Sequence, residues 1–193
     1  LENAARPYIS EEKGVATEAD AIAGAQDIIA ESISDNADYR TWIRRTTMKK
    51  GKVVSTAKDP DAESVYEMYY DFEEPVSKLA GHRILALNRG EKEKFLTVKV
   101  EAPEEEITAW LERKTLRGSN PFTSPVIKEA VKDSYHRLIA PAIEREIRND
   151  LTEKAEDGAI RVFGKNLHQL LMQPPVAGRV VLGWDPAFRT GCK

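Results

Sequence analysis

The fold class is decided by residues 125–156, which read PVIKEAVKDSYHRLIAPAIEREIRNDLTEKAE. Apolar side chains recur there every three or four residues, which is the spacing that places them on one face of an α-helix. The members of this stripe are Ile127, Val131, Leu138, Ala142, Ile143, Ile147 and Leu151. Pro141 lies within the stripe and is expected to kink or split the helix, because proline lacks the backbone N–H that a helix interior needs. The stretch predicts a long, interrupted helix in a mainly α-helical domain.

Further helices are predicted on the N-terminal side of this stretch. Thr17, with Asp20 three residues later, is typical of a helix start. A second helix is predicted over Ala37–Lys50, with Gly51 as its end. Good helix formers predict a third over His82–Glu93.

One more helix is predicted on the C-terminal side, over Ala159–Met172. Its apolar residues are expected to face the core, and they are Ile160, Phe163, Leu167, Leu170 and Leu171. The pair Pro174-Pro175 ends this helix.

A small β element is predicted between the helices. Lys52–Ala57 and Phe95–Val100 are short runs rich in β-branched residues, which favours strands. The aromatic run Tyr66–Phe72 fits either a third strand or a helix end. Residues 1–175 are therefore interpreted as one multi-helix domain with a small sheet around 52–100.

Composition limits the function classes. The chain has 193 residues, 41% of them apolar and 32% charged, with a formal net charge of −3. This charge excludes a uniformly basic nucleic-acid binder, although a local basic face remains possible. The single cysteine, Cys192, excludes a disulfide framework and predicts a reducing, cytoplasmic location.

The basic stretch between Arg40 and Lys58 holds seven cations and no acidic residue. Phosphates could line up along such a helix, so nucleic-acid contact is predicted for part of it. The predicted contact residues are Arg40, Arg44, Arg45, Lys49 and Lys50. The alternative is a solvated helix face whose cations pair with the acids around Glu63–Glu74.

No catalytic residue, metal ligand set or cofactor is predicted. His82, His136 and His168 are far apart in the sequence, and none has a second histidine or a cysteine at ligand spacing. Residues 178–185 are predicted to form a buried strand that ends in Asp185. Nucleases of the ribonuclease H type place a metal-binding carboxylate at such a point. That chemistry needs further carboxylates from later strands, so the chain is expected not to be an enzyme by itself.

Three motifs resemble the Tex family of bacterial transcription accessory proteins. They are AQDIIAE at 25–31, HRILALNRGE at 82–91, and NLHQLL at 166–171 followed by Pro174-Pro175 and VLGWDPAFRTGCK at 181–193. In that family a DPGFRTGCK-like sequence opens the YqgF domain, which has a ribonuclease H-like fold. Here Ala187 replaces the usual glycine, and Trp184 replaces a smaller apolar residue.

The resemblance implies a piece of a longer protein. Residues 1–175 would belong to its N-terminal helical region, and 176–193 would begin a truncated YqgF domain. The family binds nucleic acid, RNA or DNA, chiefly through C-terminal domains. The chain is thus interpreted as a non-catalytic structural module that supports nucleic-acid binding. Two alternatives stay open: part of a metal-dependent nuclease that uses Asp185, or a protein-interaction module that docks on the transcription machinery.

Overall fold

Helices make up most of the chain in the computed structural model, which describes residues 1–10, 12, 14–175 and 177–184. The helices are α1 (Glu2–Ala5), α2 (Glu18–Ser34), α3 (Ala37–Lys50), α4 (Gly81–Lys92), α5 (Glu104–Thr115), α6 (Ser124–Asp133) and α7 (Ala140–Leu171). The strands are β1 (Lys52–Ala57), β2 (Asp71–Pro75) and β3 (Leu96–Glu101). The predicted class, mainly α-helical with a small β element, is confirmed. Two compact units divide the chain, Leu1–Ala159 and Ile160–Lys193.

The three strands form one antiparallel sheet with β1 in the centre, in the order β2-β1-β3. Val53 of β1 lies opposite Glu74 on one side and Val100 on the other. The buried side chains of β3 alternate, as expected for a strand with one face on the core, and they are Leu96, Val98 and Val100. The run Tyr66–Phe72, left open between two interpretations, contains both: a 3-10 turn over Glu67–Tyr69 and then the start of β2.

The free edge of β3 is closed by side chains instead of a fourth strand. The backbone N–H of Val98 donates to Glu91 of α4 (3.3 Å), and that of Val100 donates to Glu144 of α7 (2.9 Å). Arg148 donates in turn to the Val98 carbonyl (3.2 Å). An open strand edge invites pairing with other chains, so these bonds protect the sheet as well as position it.

The long predicted helix is interrupted one turn earlier than its sequence suggested. A π-helical segment (Ser134–Ile139) joins α6 to α7, and Pro141 follows it as the second residue of α7. The buried residues recur at every fourth position, from Val131 through Ile139 to Ala155. The wider π turn, with its i→i+5 hydrogen bonds, keeps that spacing on one face. Ile139 therefore takes the buried place that the helical pattern assigned to Leu138.

The predicted core-facing stripe of the last helix is wrong for the described structure. Residues 160–171 are helical, but they continue α7 through Gly158 instead of starting a new helix. The side chains of Ile160 and Phe163 are 67% and 68% exposed, and Leu167, Leu170 and Leu171 are exposed too. Hydrophobic periodicity identifies an apolar face, but it does not show what covers that face.

The predicted strand over 178–185 is also not formed where the structure describes it. Residues 177–184 are assigned neither helix nor strand, and Val180 and Trp184 are exposed. A strand needs a neighbour for its backbone hydrogen bonds, and one segment cannot supply both partners. Asp185 lies outside the described residues, so the YqgF-like domain stays a prediction.

Candidate nucleic-acid interface

Helix α3 carries all five predicted contact residues, and its ends are well defined. The side chain of Asn36 accepts a hydrogen bond from the backbone N–H of Tyr39 (3.1 Å) at the first turn. Lys49 and Lys50 lie in the last turn, where cations interact favourably with the helix dipole. Gly51 follows, and a Cβ there would come within 2.5 Å of the Thr47 carbonyl oxygen and 2.9 Å of the Glu101 carbonyl oxygen. Close backbone approach therefore requires glycine at this position.

The helix is anchored by a buried stripe and an aromatic cluster. Ile43 and Thr47 are almost fully buried, at 1% and 2% exposure. Trp42 stacks on Trp110 of α5 with ring centroids 4.0 Å apart, and Tyr39 meets the same indole edge-on at 5.3 Å. Offset and edge-on aromatic pairs stabilise packing beyond the area they bury. These rings hold α3 against α5.

The side of α3 that faces α7 is neutralised. Arg40 donates to Glu146 at 2.8 Å, and Arg44 pairs with Asp150 and lies 3.9 Å from Glu146. All four side chains are about one-third to one-half exposed. We define Arg40 and Arg44 as the paired side of α3.

The cations at the end of α3 and the start of β1 are also paired. Lys50 donates to both carboxylate oxygens of Glu106 on α5 at 2.7 Å. Lys52 pairs with Glu73, whose hydrogen bond and charge raise the pKa of the Lys52 ammonium. Lys52 thus meets the acidic segment 63–74, as the solvated-face alternative predicted. The partners of Arg40, Arg44 and Lys50 lie on α7 and α5 instead.

The opposite side of α3 carries Arg45 and Lys49. Both are exposed, and neither forms an ion pair with any residue that the structure describes. They are separated by one helical turn, and Arg45 is rotated by about 140° from Arg40 at 3.6 residues per turn. We define Arg45 and Lys49 as the open side of α3. The five predicted residues therefore do not share one face, and their contact with nucleic acid stays a prediction.

The HRILALNRGE motif has a clear structural role in this fold. Asn88 and Glu91, three residues apart on α4, both point to α7. The Asn88 amide donates to the Thr152 hydroxyl (2.8 Å), and Glu91 pairs with Arg148. Gly90 packs so closely that an added Cβ would lie 2.6 Å from a Leu96 methyl carbon. The motif locks α4, β3 and α7 together.

The histidines are not brought together. His136 lies 3.3 Å from Glu104, and His82 is on α4. Among the residues that the structure describes, no group of three or more His, Cys, Asp or Glu side chains is placed to hold a metal ion. No described helix is long and apolar enough to cross a membrane.

A family model and several known proteins are similar to this chain. Residues 1–163 match a family model described as Tex central region-like. The chain is 53% identical to the protein YdcI of Bacillus subtilis, covering 96% of the chain and 26% of that protein. It is 34% identical to the human S1 RNA-binding domain-containing protein 1, covering 94% and 20%.

The chain is also 28% identical to the transcriptional accessory protein Tex of Neisseria gonorrhoeae, covering 100% of the chain and 26% of that protein. It spans about a quarter or less of the length of each of these three relatives.

Proposed function

The chain belongs to the Tex family, and from that premise we propose that it is a non-catalytic structural module of a longer Tex protein. Its role is to support nucleic-acid binding by that protein. The names of two relatives, a transcriptional accessory protein and an S1 RNA-binding domain-containing protein, support a partner of this chemical class. A chain with one cysteine fits the reducing cytoplasm.

The division of α3 into two sides is the observation that carries this proposal. Three of the five predicted cations are used in ion pairs that join α3 to α5 and α7. The helix is therefore mainly a scaffold element. Arg45 and Lys49 remain accessible to phosphate, and two cations add a modest, salt-dependent contact to a larger binding surface.

A second candidate function is docking of another protein, and an exposed apolar groove favours it. Val65 is 84% exposed and Met68 is 72% exposed, and they border a groove of about 420 Å³ that Leu85 and Arg89 also line. Large exposed apolar side chains around a groove are typical of protein contact sites. This candidate predicts partner contact through 65–69 and α4 without nucleic acid.

Fluorescence anisotropy across a salt series tests the proposal directly. The chain is titrated with labelled single-stranded RNA, single-stranded DNA and duplex DNA. We expect weak binding at low salt that fades as salt rises, because each neutralised phosphate releases a counterion. Absence of binding at the lowest salt would remove the phosphate contact and favour the docking function.

A matched pair of variants identifies the surface. Arg45→Ala with Lys49→Ala should lower the affinity at low salt. Val65→Ser with Met68→Ser leaves every charge in place and should not change it. If only Val65→Ser with Met68→Ser lowered the affinity, the nucleic acid would bind at the apolar groove and not at the open side of α3. That result would contradict the proposal.

A further inference from the structure

We infer that the apolar groove beside α4 binds a short segment of another protein that carries two apolar side chains and a carboxylate. The groove measures about 420 Å³ and is lined by one face of α4 and by residues 65–69, which include the 3-10 turn Glu67–Tyr69. The inference rests on the docking function proposed above as the second candidate, and it adds the chemical class of the partner. It does not depend on the nucleic-acid role of α3.

The two exposed apolar side chains of the groove are held in a defined position. Val65 and Met68 are exposed, whereas Tyr66 between them is only 5% exposed. The Tyr66 hydroxyl donates to Glu93 (2.9 Å), and the Tyr66 backbone N–H donates to the Ser64 hydroxyl (3.0 Å). These contacts fix the backbone on which Val65 and Met68 stand. A preorganised surface loses less conformational entropy when a partner binds.

One face of α4 forms the opposite wall of the groove. His82, Leu85, Ala86 and Arg89 line it at spacings of three and four residues, so they lie on the same side of the helix. The wall from His82 to Arg89 is about 10 Å long at the helical rise of 1.5 Å per residue. A wall of this length accommodates a short peptide segment with two neighbouring apolar anchors.

The polar side chains of the lining specify the charge of the partner. Arg89 and His82 line the groove and are exposed, and no acidic residue that the structure describes lines it. The Arg89 guanidinium has no hydrogen bond or ion pair with any described residue. Two acids lie close in the sequence, but Glu67 accepts a backbone N–H (3.4 Å) and Glu93 accepts the tyrosine hydroxyl. A carboxylate of the partner can therefore pair with the planar guanidinium of Arg89.

The residue types in the groove favour a protein partner over a nucleic acid. Tyrosine, methionine and arginine are enriched in protein interfaces, and Tyr66, Met68 and Arg89 all line this groove. Tyrosine and arginine also frequently carry much of the binding energy. A phosphate backbone would pair with Arg89 but would leave Val65 and Met68 in water. Apolar anchors beside a carboxylate satisfy both parts of the groove.

Selection from a library of short random peptides tests the inference. Phage-displayed peptides are selected on the 193-residue chain, and clones that also bind the variant Val65→Ser with Met68→Ser are removed. We expect the remaining peptides to be enriched in aspartate or glutamate beside large apolar residues. A parallel selection on Arg89→Glu should enrich lysine or arginine instead, because like charges reject the first class of peptide.

Fluorescence anisotropy then measures one enriched peptide in two forms, with its carboxylate and with the matching amide. The carboxylate form should bind the wild-type chain roughly tenfold tighter, since hydrogen bonds to charged groups are the stronger ones. The two forms should bind equally to Arg89→Gln. Lys92→Gln removes one charge from the same helix outside the groove lining, so it should preserve the tenfold difference. Thermal melts of each variant verify that it is folded.

The outcomes separate the inference from the docking function. If groove-dependent peptides bind equally well as carboxylate and amide, the inference is overturned and the docking function stands. If no peptide distinguishes the wild type from Val65→Ser with Met68→Ser, both are overturned. The inference also fails if single-stranded RNA displaces the peptide from Arg45→Ala with Lys49→Ala, because the groove would then bind nucleic acid. It fails as well if light scattering shows a dimer that Val65→Ser with Met68→Ser dissociates, because a second copy would then fill the groove.

Discussion

The two sides of helix α3 carry the same kind of residue in different surroundings. On the paired side, Arg40 and Arg44 contact Glu146 and Asp150 of α7. On the open side, neither Arg45 nor Lys49 has a described carboxylate within ion-pair distance. A cation beside a carboxylate holds the fold, whereas a cation without one is available to a phosphate. The tertiary neighbour, and not the residue type, decides the role.

The largest expected effect on stability comes from the buried stripe of α3, Ile43 and Thr47, which lies between the two sides. Ile43→Ala removes a fully buried side chain next to the core, which should lower the free energy of unfolding by about 2–5 kcal/mol. Chemical denaturation with urea measures it. The change leaves both sides of α3 chemically intact, so nucleic-acid affinity per folded molecule should be unchanged. If Ile43→Ala lowered the nucleic-acid affinity without lowering the stability, the contact surface would not be the open side of α3.

A second pair, Glu91 with Arg148, tests how strongly a half-buried ion pair contributes. Burial raises the pKa of Glu91, but the hydrogen bond and charge of Arg148 outweigh it, so the pKa of Glu91 is lowered overall. A lowered folded-state pKa contributes stability above the usual glutamate value near 4.5, and that contribution is lost as the pH falls through the folded-state pKa. Glu91→Gln should therefore cost about 1 kcal/mol at pH 7 and progressively less below pH 4.5.

Urea denaturation at several pH values checks this prediction, with Arg148→Met as the background control. Without the Arg148 guanidinium, the pH dependence caused by Glu91→Gln should shrink. An equal pH dependence in both backgrounds would mean that another group holds the pKa of Glu91 down.

The paired and open sides should differ slightly in stability. Arg40→Ala with Arg44→Ala breaks the contacts to α7 and should lower the free energy of unfolding by about 1 kcal/mol in total, because exposed ion pairs contribute little each. Arg45→Ala with Lys49→Ala removes the same number of charges from the same helix and should change it by less than about 0.5 kcal/mol. Thermal melts at low and high salt measure both. If both double variants destabilised the protein equally, the two sides of α3 would not differ in their contribution to stability, and this prediction would be wrong.

Local sequence signals identified the elements well. The cap at Thr17, with its reciprocal bond to Asp20, and the helix Ala37–Lys50 follow from short-range chemistry and appear where the sequence placed them. The family resemblance is likewise confirmed, because residues 1–163 match the Tex central region-like family model. These features depend on residues within a few positions of each other.

Long-range features could not be read from the sequence. Arg40 and Glu146 are 106 residues apart, and no local pattern predicts their ion pair. The π-helical turn places Ile139, instead of Leu138, in the core, and regular α-helical periodicity does not predict such a turn. Glu144 accepts the backbone N–H of Val100, 44 residues away in the sequence, and no local pattern predicts this contact either.

The salt dependence of nucleic-acid binding tests the division of α3 most directly. The logarithm of the association constant for single-stranded RNA is plotted against the logarithm of salt concentration for the wild type and for both double variants. These are Arg40→Ala with Arg44→Ala, and Arg45→Ala with Lys49→Ala. Loss of each phosphate contact should reduce the slope by about 0.7. We predict a smaller slope for Arg45→Ala with Lys49→Ala and an unchanged slope for Arg40→Ala with Arg44→Ala. The reverse pattern, with the slope reduced only when Arg40 and Arg44 are removed, would contradict the account.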